Sequence, residues 1–263
     1  MHPEPVTLDV TNRFVLDFAA RTAAARPGAT ILDFGCGAGR VVTAGRQAGL
    51  DIYGADVFYG GSKTRADAER TGLLGAVIRE IHDGRLDFPD TFFDLVTNNQ
   101  VMEHVDDLDA VLGEIHRVLK PGGQVLSIFP SADVFREGHI GIPFSHWFAK
   151  GSRTRYYYTW ALRSLGFGTW KNQAPTCRQW AIDKLQWIDD YTRYRPRREI
   201  LAAYDRRFSN ELREPDYIRY RLCDRPSRAS LARLLDLPLV PRLASELFRK
   251  LAFLVILSTK ERA

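Results

Sequence analysis

Apolar residues along this chain fall into two alternating rhythms. Short runs such as TILDF at 30–34 and DIYGAD at 51–56 are separated by stretches whose apolar positions recur every three to four residues. The first rhythm suits buried strands and the second amphipathic helices, and their alternation points to parallel β/α units. Strands are predicted at 30–34, 51–56, 76–80, 93–98 and 124–129, and helices at 8–25, 39–48, 62–70 and 108–119. In the last helix Leu108, Val111, Leu112, Ile115 and Leu119 share one face. Lys120 and Pro121-Gly122-Gly123 stop it, because proline cannot continue a helix and glycine turns readily.

Beyond residue 129 the order loosens. Residues 130–151 read as a loop dense in histidine and aromatic residues, 154–165 as a helix and 167–172 as a sixth strand. From 175 to 244 the pattern is helical, charged and rich in Trp, Tyr and Arg, with breaks at Pro196, Pro215, Pro226 and Pro238. The β-branched apolar run at 251–259 suits one last buried strand. The pattern therefore predicts an open α/β sheet whose closing strand arrives after a helical insertion. There is no internal repeat or low-complexity tract.

The turn after the first strand reads ILDFGCGAGR, residues 31–40. In an open α/β sheet this turn is part of the ligand site. A dinucleotide fingerprint is G-x-G-x-x-G, but here Gly35 and Gly37 are followed by Gly39, and Arg40 stands where the third glycine belongs. Asp33 just before the turn opposes a pyrophosphate and suits a cationic ligand. Asp56 closes the second strand, where an acidic acceptor for ribose hydroxyls is expected.

Composition narrows the setting. The 263 residues are 45% hydrophobic and 26% charged, enough for one large core plus an elaboration. No signal-peptide pattern or membrane-spanning run is present, so a cytoplasmic protein is expected. Cys36, Cys177 and Cys223 lack metal-ligand or redox spacing, which supports neither a zinc site nor a disulfide framework. The net charge of +5 comes mostly from arginines after residue 150. They read first as a solvated helical face and leave contact with an anionic membrane surface open.

Four stretches in order, ILDFGCGAGR, DIYGADV, FFDLVTNNQVMEHV and VLGEIHRVLKPGGQVLSIFP, resemble the motif series of class I S-adenosylmethionine-dependent methyltransferases of the small-molecule type, including those of quinone biosynthesis. The resemblance implies a Rossmann-like, seven-stranded, mostly parallel sheet with a reversed last strand. With the apolar pattern it divides the chain into an N-terminal helical segment (1–27), a cofactor-binding core (28–174), a helical insertion that the expected topology places as an acceptor-binding cover (175–244) and the final core strand (245–263). It implies S-adenosyl-L-methionine as cofactor. Asp33, Gly35, Cys36 and Gly37 would line its methionine and ribose end, Asp56 would hold the ribose and Val57 would meet the adenine. Asp83 with Gly84 would take the adenine amino group, and the backbone of Asn98, Asn99 and Gln100 would approach the methyl group. Gly39 and Asp94 are expected to be structural.

Methyl transfer needs alignment and desolvation rather than a protein nucleophile. A hydroxyl acceptor also needs a base, and His104, His139 and His146 are the candidates, with no metal expected. The expected reaction is methylation of a small-molecule or lipid-like acceptor at oxygen. Trp180, Trp187, Tyr191 and Tyr194 either wall the acceptor pocket or form the insertion's own core, and Arg193, Arg195, Arg197 and Arg198 either bind an acidic acceptor or face solvent. An RNA or protein methyltransferase ranks lower, because no RNA-binding module is visible; a silent cofactor-binding protein is a third reading, and a nicotinamide oxidoreductase ranks last because the glycine spacing and Asp33 do not suit it. The oligomeric state is left open.

Overall fold

The computed structural model describes residues 6–59 and 63–262. Residues 1–5 of the predicted N-terminal segment and residue 62, where the third helix is predicted to start, lie outside them. Helix α1 (Val10–Ala25) starts where the Asp9 carboxylate accepts the N–H groups of Thr11 and Asn12. The β/α units follow as β1 (Thr30–Phe34), α2 (Arg40–Gln47), β2 (Asp51–Asp56), α3 (Thr64–Arg70), β3 (Ile78–Glu80), β4 (Phe93–Asn99), α4 (Leu108–Val118) and β5 (Leu119–Phe129). After them come α5 (Arg153–Ser164), α6 (Cys177–Tyr191), α7 (Arg197–Asp205), β6 (Ser209–Leu212), α8 (Glu214–Cys223), α9 (Val240–Leu251) and β7 (Leu254–Thr259).

The strands form one sheet in the order β3-β2-β1-β4-β5-β7-β6. The first five are parallel, and β7 runs antiparallel to both β5 and β6. Alternate side chains of the central strands serve two cores, as strand geometry requires. Leu32, Val96 and Val125 pack with Leu112 and Ile115 of α4 and Tyr204 of α7. Ile31, Leu95 and Leu126 pack with Phe14 and Val15 of α1 and Tyr217 of α8.

The sixth strand is not at 167–172. Gly168 there and Gly166 just before the segment have left-handed φ of +95° and +91°, and a Cβ at Gly168 would lie 2.8 Å from the Trp180 ring. The Trp180 indole also donates to the Thr169 carbonyl, so the segment is a turn fixed onto α6. The strand forms instead at the polar SNEL of β6, whose residues pair with the outer edge of β7. The closing strand begins at Leu254, since 251–253 finish α9 and its turn.

Candidate active site

In the turn between β1 and α2, the N–H groups of the three glycines and Cys36 are engaged within the fold. The N–H groups of Gly35 and Cys36 both donate to the Ala55 carbonyl, at 2.7 and 3.2 Å, and Gly39 donates to Cys36. The N–H of Gly37 donates to Asp56 Oδ2 at 2.8 Å. A phosphate cradled by these glycines would need their N–H groups free, and here they are used within the fold. Gly35 is required for another reason: its φ is +75°, and a Cβ on it would come within 2.2 Å of Val101. The missing side chain lets the turn press against the end of β4.

Two cavities meet at Gly35. The smaller, about 250 Å³, is lined by Asp33, Cys36 and Asn99, with Asn12 of α1. The larger, about 670 Å³, is lined by Asp56, Val57, Gly84, Gln100 and His104, together with Tyr59 and Tyr191. Asp33 is buried, and among the described residues its carboxylate accepts only the Thr97 hydroxyl, at 3.1 Å. Burial, with a smaller push from Asp56, raises its pKa to about 7, since removing water penalises the charged form. Asn99 Oδ1 and Gln100 Nε2 are buried without a hydrogen-bond partner among the described residues. Asp56 is fixed by two N–H groups, from Gly37 and Phe58.

Not every expected residue faces these cavities. The Asn98 side chain turns into the core and donates to Ser127 Oγ at 2.8 Å. Asp83 stands exposed at φ +51° and lines neither cavity, although its neighbour Gly84 does. Gly37 lines neither wall but ties Asp56 to the turn.

The three histidines converge on one side. The rings of His104 and His139 are 5.1 Å apart, and His146 joins them through Tyr194, also at 5.1 Å. Only His104 lines the larger cavity. Its Nδ1 lies 2.6 Å from the Tyr191 carbonyl, which can only accept, so Nδ1 carries the proton and Nε2 keeps its lone pair. Burial lowers its pKa, a shift only partly opposed by that bond. His139 differs: burial opposes its charge, but the Glu137 carboxylate 2.8 Å away carries its pKa above the usual imidazole value. Glu137 is fully buried and also accepts from Tyr194 and the N–H of Ile140. Burial lowers the pKa of His146. Glu103 is buried with both oxygens unpartnered among the described residues, and burial raises its pKa to about 8. Glu103, His104 and His139 bring one ligand-capable atom each within 4.8 Å of one another, a donor set that no spacing in the sequence announces.

A family described as "Methyltransferase domain" matches residues 9–236. An S-adenosylmethionine dependent methyltransferase of known structure from Mesorhizobium loti shares the fold, with a TM-score of 0.51 at 22% identity over 92% of this chain and 99% of that one. The chain belongs to the class I S-adenosylmethionine-dependent methyltransferases. It is similar to the ubiquinone/menaquinone biosynthesis C-methyltransferase UbiE of Vibrio vulnificus, 34% identical over 132 residues that cover 47% of this chain and 48% of that protein. It is also similar to the demethylmenaquinone methyltransferase of Symbiobacterium thermophilum, 32% identical over 57% of this chain and 65% of that protein. A malonyl-[acyl-carrier protein] O-methyltransferase of Erwinia billingiae is 34% identical over 45% of each chain. The chain spans about half the length of most of these relatives.

The chain has a crevice that fits its family's cofactor on its own chemistry. A buried carboxylate without a basic partner in its hydrogen bonds suits a ligand carrying positive charge. The orphaned amide atoms of Asn99 and Gln100 leave one acceptor in the smaller cavity and one donor in the larger. Asn12, Tyr59, Val101 and Glu137 were not visible as site residues in the sequence. Asn12 lies in an unremarkable helix, lines the smaller cavity and accepts from the Asn99 amide at 3.0 Å. Asp94 takes the Thr30 N–H and the Lys120 ammonium, at 3.0 and 2.6 Å. Asp94→Ala is therefore expected to cost about 1–3 kcal/mol in denaturant unfolding, with calorimetric S-adenosylmethionine affinity unchanged.

Proposed function

We propose that this methyltransferase transfers a methyl group to a small or lipid-like acceptor at an oxygen whose proton His104 removes. Asp33, Asn99 and the Gly35-Cys36 turn would hold the amino-acid part of S-adenosylmethionine, Asp56 its ribose, and Val57 and Gly84 its base. The bound cofactor supplies a sulfonium methyl group ready for in-line displacement. The chain's own contribution is to align the acceptor, keep water out and accept one proton at His104 Nε2.

The observation that carries this reading is the fixed His104 tautomer on the wall of the larger cavity. Tyr59 and Tyr191, whose rings are 5.8 Å apart, supply an apolar wall on the same side. The arginines expected to meet an acidic acceptor are largely used within the fold. Arg193 pairs with Asp106, Arg197 with Glu246, and Arg195 donates to the carbonyls of Val105 and Asp106. A neutral, largely apolar acceptor follows. Carbon methylation is the second reading, favoured by the likeness to the Vibrio C-methyltransferase.

The test is incubation with trideuteromethyl-labelled cofactor and lipid and metabolite extracts, followed by mass spectrometry and NMR of any labelled product. A methyl attached to oxygen is expected. A methyl on carbon would overturn the acceptor atom, and cofactor binding without any labelled product would overturn transfer itself. Chelator treatment is expected to leave turnover unchanged, because His139 is committed to Glu137 and burial keeps Glu103 protonated near neutral pH.

A further inference from the structure

Helix α9 presents an apolar stripe to solvent. Leu239, just before it, and Leu243, Leu247 and Leu251 recur every four residues and are 59–70% exposed. Recurrence at that spacing places them along one face over about 18 Å of helix. The opposite side is anchored: Ser245 is buried, Phe248 packs against Tyr217, and Arg249 donates to the buried Glu214 carboxylate. The preceding 3-10 segment, Pro226–Asp236, adds Leu231 and Leu234, and Leu237 follows it, all about half exposed. Exposed apolar area on this scale marks an interaction surface.

Two further observations indicate what covers it. Residues 225–251 carry six basic and two acidic side chains. Both acids are engaged, Asp236 with Arg219 and Glu246 with Arg197 and Arg249. Arg225, Arg228, Arg233 and Arg242 are exposed and have no ion pair among the described residues. The stripe also adjoins an exposed aromatic cluster. The Phe135 N–H donates to the Lys250 carbonyl at the end of α9, and Phe135 contacts Phe144 and Trp147. These aromatics belong to the loop that carries His139 and His146.

We propose that α9, the 3-10 segment before it and this aromatic cluster form a face that docks on an anionic lipid bilayer. A leucine-rich apolar face with free arginines beside it is the pattern of a helix lying in the membrane interface. Tryptophan is favoured at that depth, and cationic side chains are drawn to anionic headgroups. A protein-binding hot spot is instead poor in leucine. Docking here sets the loop of the histidine cluster against the lipid surface. The inference does not depend on methyl transfer and is read without it.

The experiment is flotation of the full chain with phosphatidylcholine vesicles, with and without phosphatidylglycerol, at low and high salt. The wild type is expected to float with the anionic vesicles and to be released by salt. Leu243→Glu/Leu247→Glu is expected to weaken association by about 10-fold or more, and Arg233→Glu/Arg242→Glu to remove the preference for anionic lipid. Circular dichroism and calorimetric cofactor binding serve as folding controls for both variants. Wild type that stays with neither vesicle, or a leucine variant that floats unchanged, overturns the proposal. A wild-type dimer that the leucine variant converts to monomer, without vesicle binding, assigns the face to a second copy of the chain instead.

Discussion

Asp33→Asn is expected to weaken S-adenosylmethionine binding roughly 100-fold while making the ligand-free protein more stable at pH 8. The two effects have one cause. Asp33 is buried with a single hydrogen-bond partner among the described residues, and its pKa is raised from an ordinary 3.8 to about 7. Between those values the folded chain binds a proton that the unfolded chain has released, so stability falls as pH rises through this interval. Above pH 7 the ligand-free fold holds an unneutralised buried carboxylate, at a cost on the order of a few kcal/mol. A cationic ligand relieves that cost by stabilising the charged form, and asparagine removes both the cost and the attraction. Wild-type affinity should therefore decline as pH drops below 7, and affinity of the variant should be flat. Calorimetry and melting curves at pH 6 and pH 8 test both halves. A variant that binds the cofactor like the wild type would show that the Asp33 charge does not meet it.

The β/α order was legible because strands buried on both faces leave continuous apolar runs, and the glycine turn was legible because close backbone approach leaves glycines. β6 was not, since its SNEL sequence has one apolar residue and the strand exists only because β7 offers an open edge. The segment at 167–172 failed for the opposite reason: its aromatic, β-branched composition suits a strand, but Trp180 fills the space beside Gly168. At the site, Asp33, Asp56 and His104 were visible as residue types at particular strand ends. Glu137 was not, because its meaning comes from His139 and from Tyr194, 57 positions away. Side-chain direction explains the remaining differences. Neighbouring positions on a strand face opposite ways, so Asn98 enters the core while Asn99 lines a cavity.

His104→Gln is expected to lower kcat by 10²- to 10⁴-fold, the usual range for losing a positioned base, with cofactor affinity unchanged. Glutamine keeps a polar side chain of similar reach but has no basic lone pair. The pH profile distinguishes this role from a structural one. Burial holds the His104 pKa below the usual imidazole value, so the base stays unprotonated at neutral pH and kcat should fall only under more acidic conditions. Asp33 titrates near pH 7 and acts on binding, so its limb belongs to KM for the cofactor. Two limbs, in different parameters and at different pH, are thus expected in the wild type, and the kcat limb should vanish in the variant. Imidazole added to His104→Ala should restore part of the rate, since the cavity wall then has room for the missing ring. If His104→Gln keeps full kcat and His139→Gln loses it, the proton goes instead to the Glu137-paired ring behind the cavity wall. The Glu137 carboxylate favours the charged form of that ring, so the kcat limb would then lie at a higher pH than the one expected for His104.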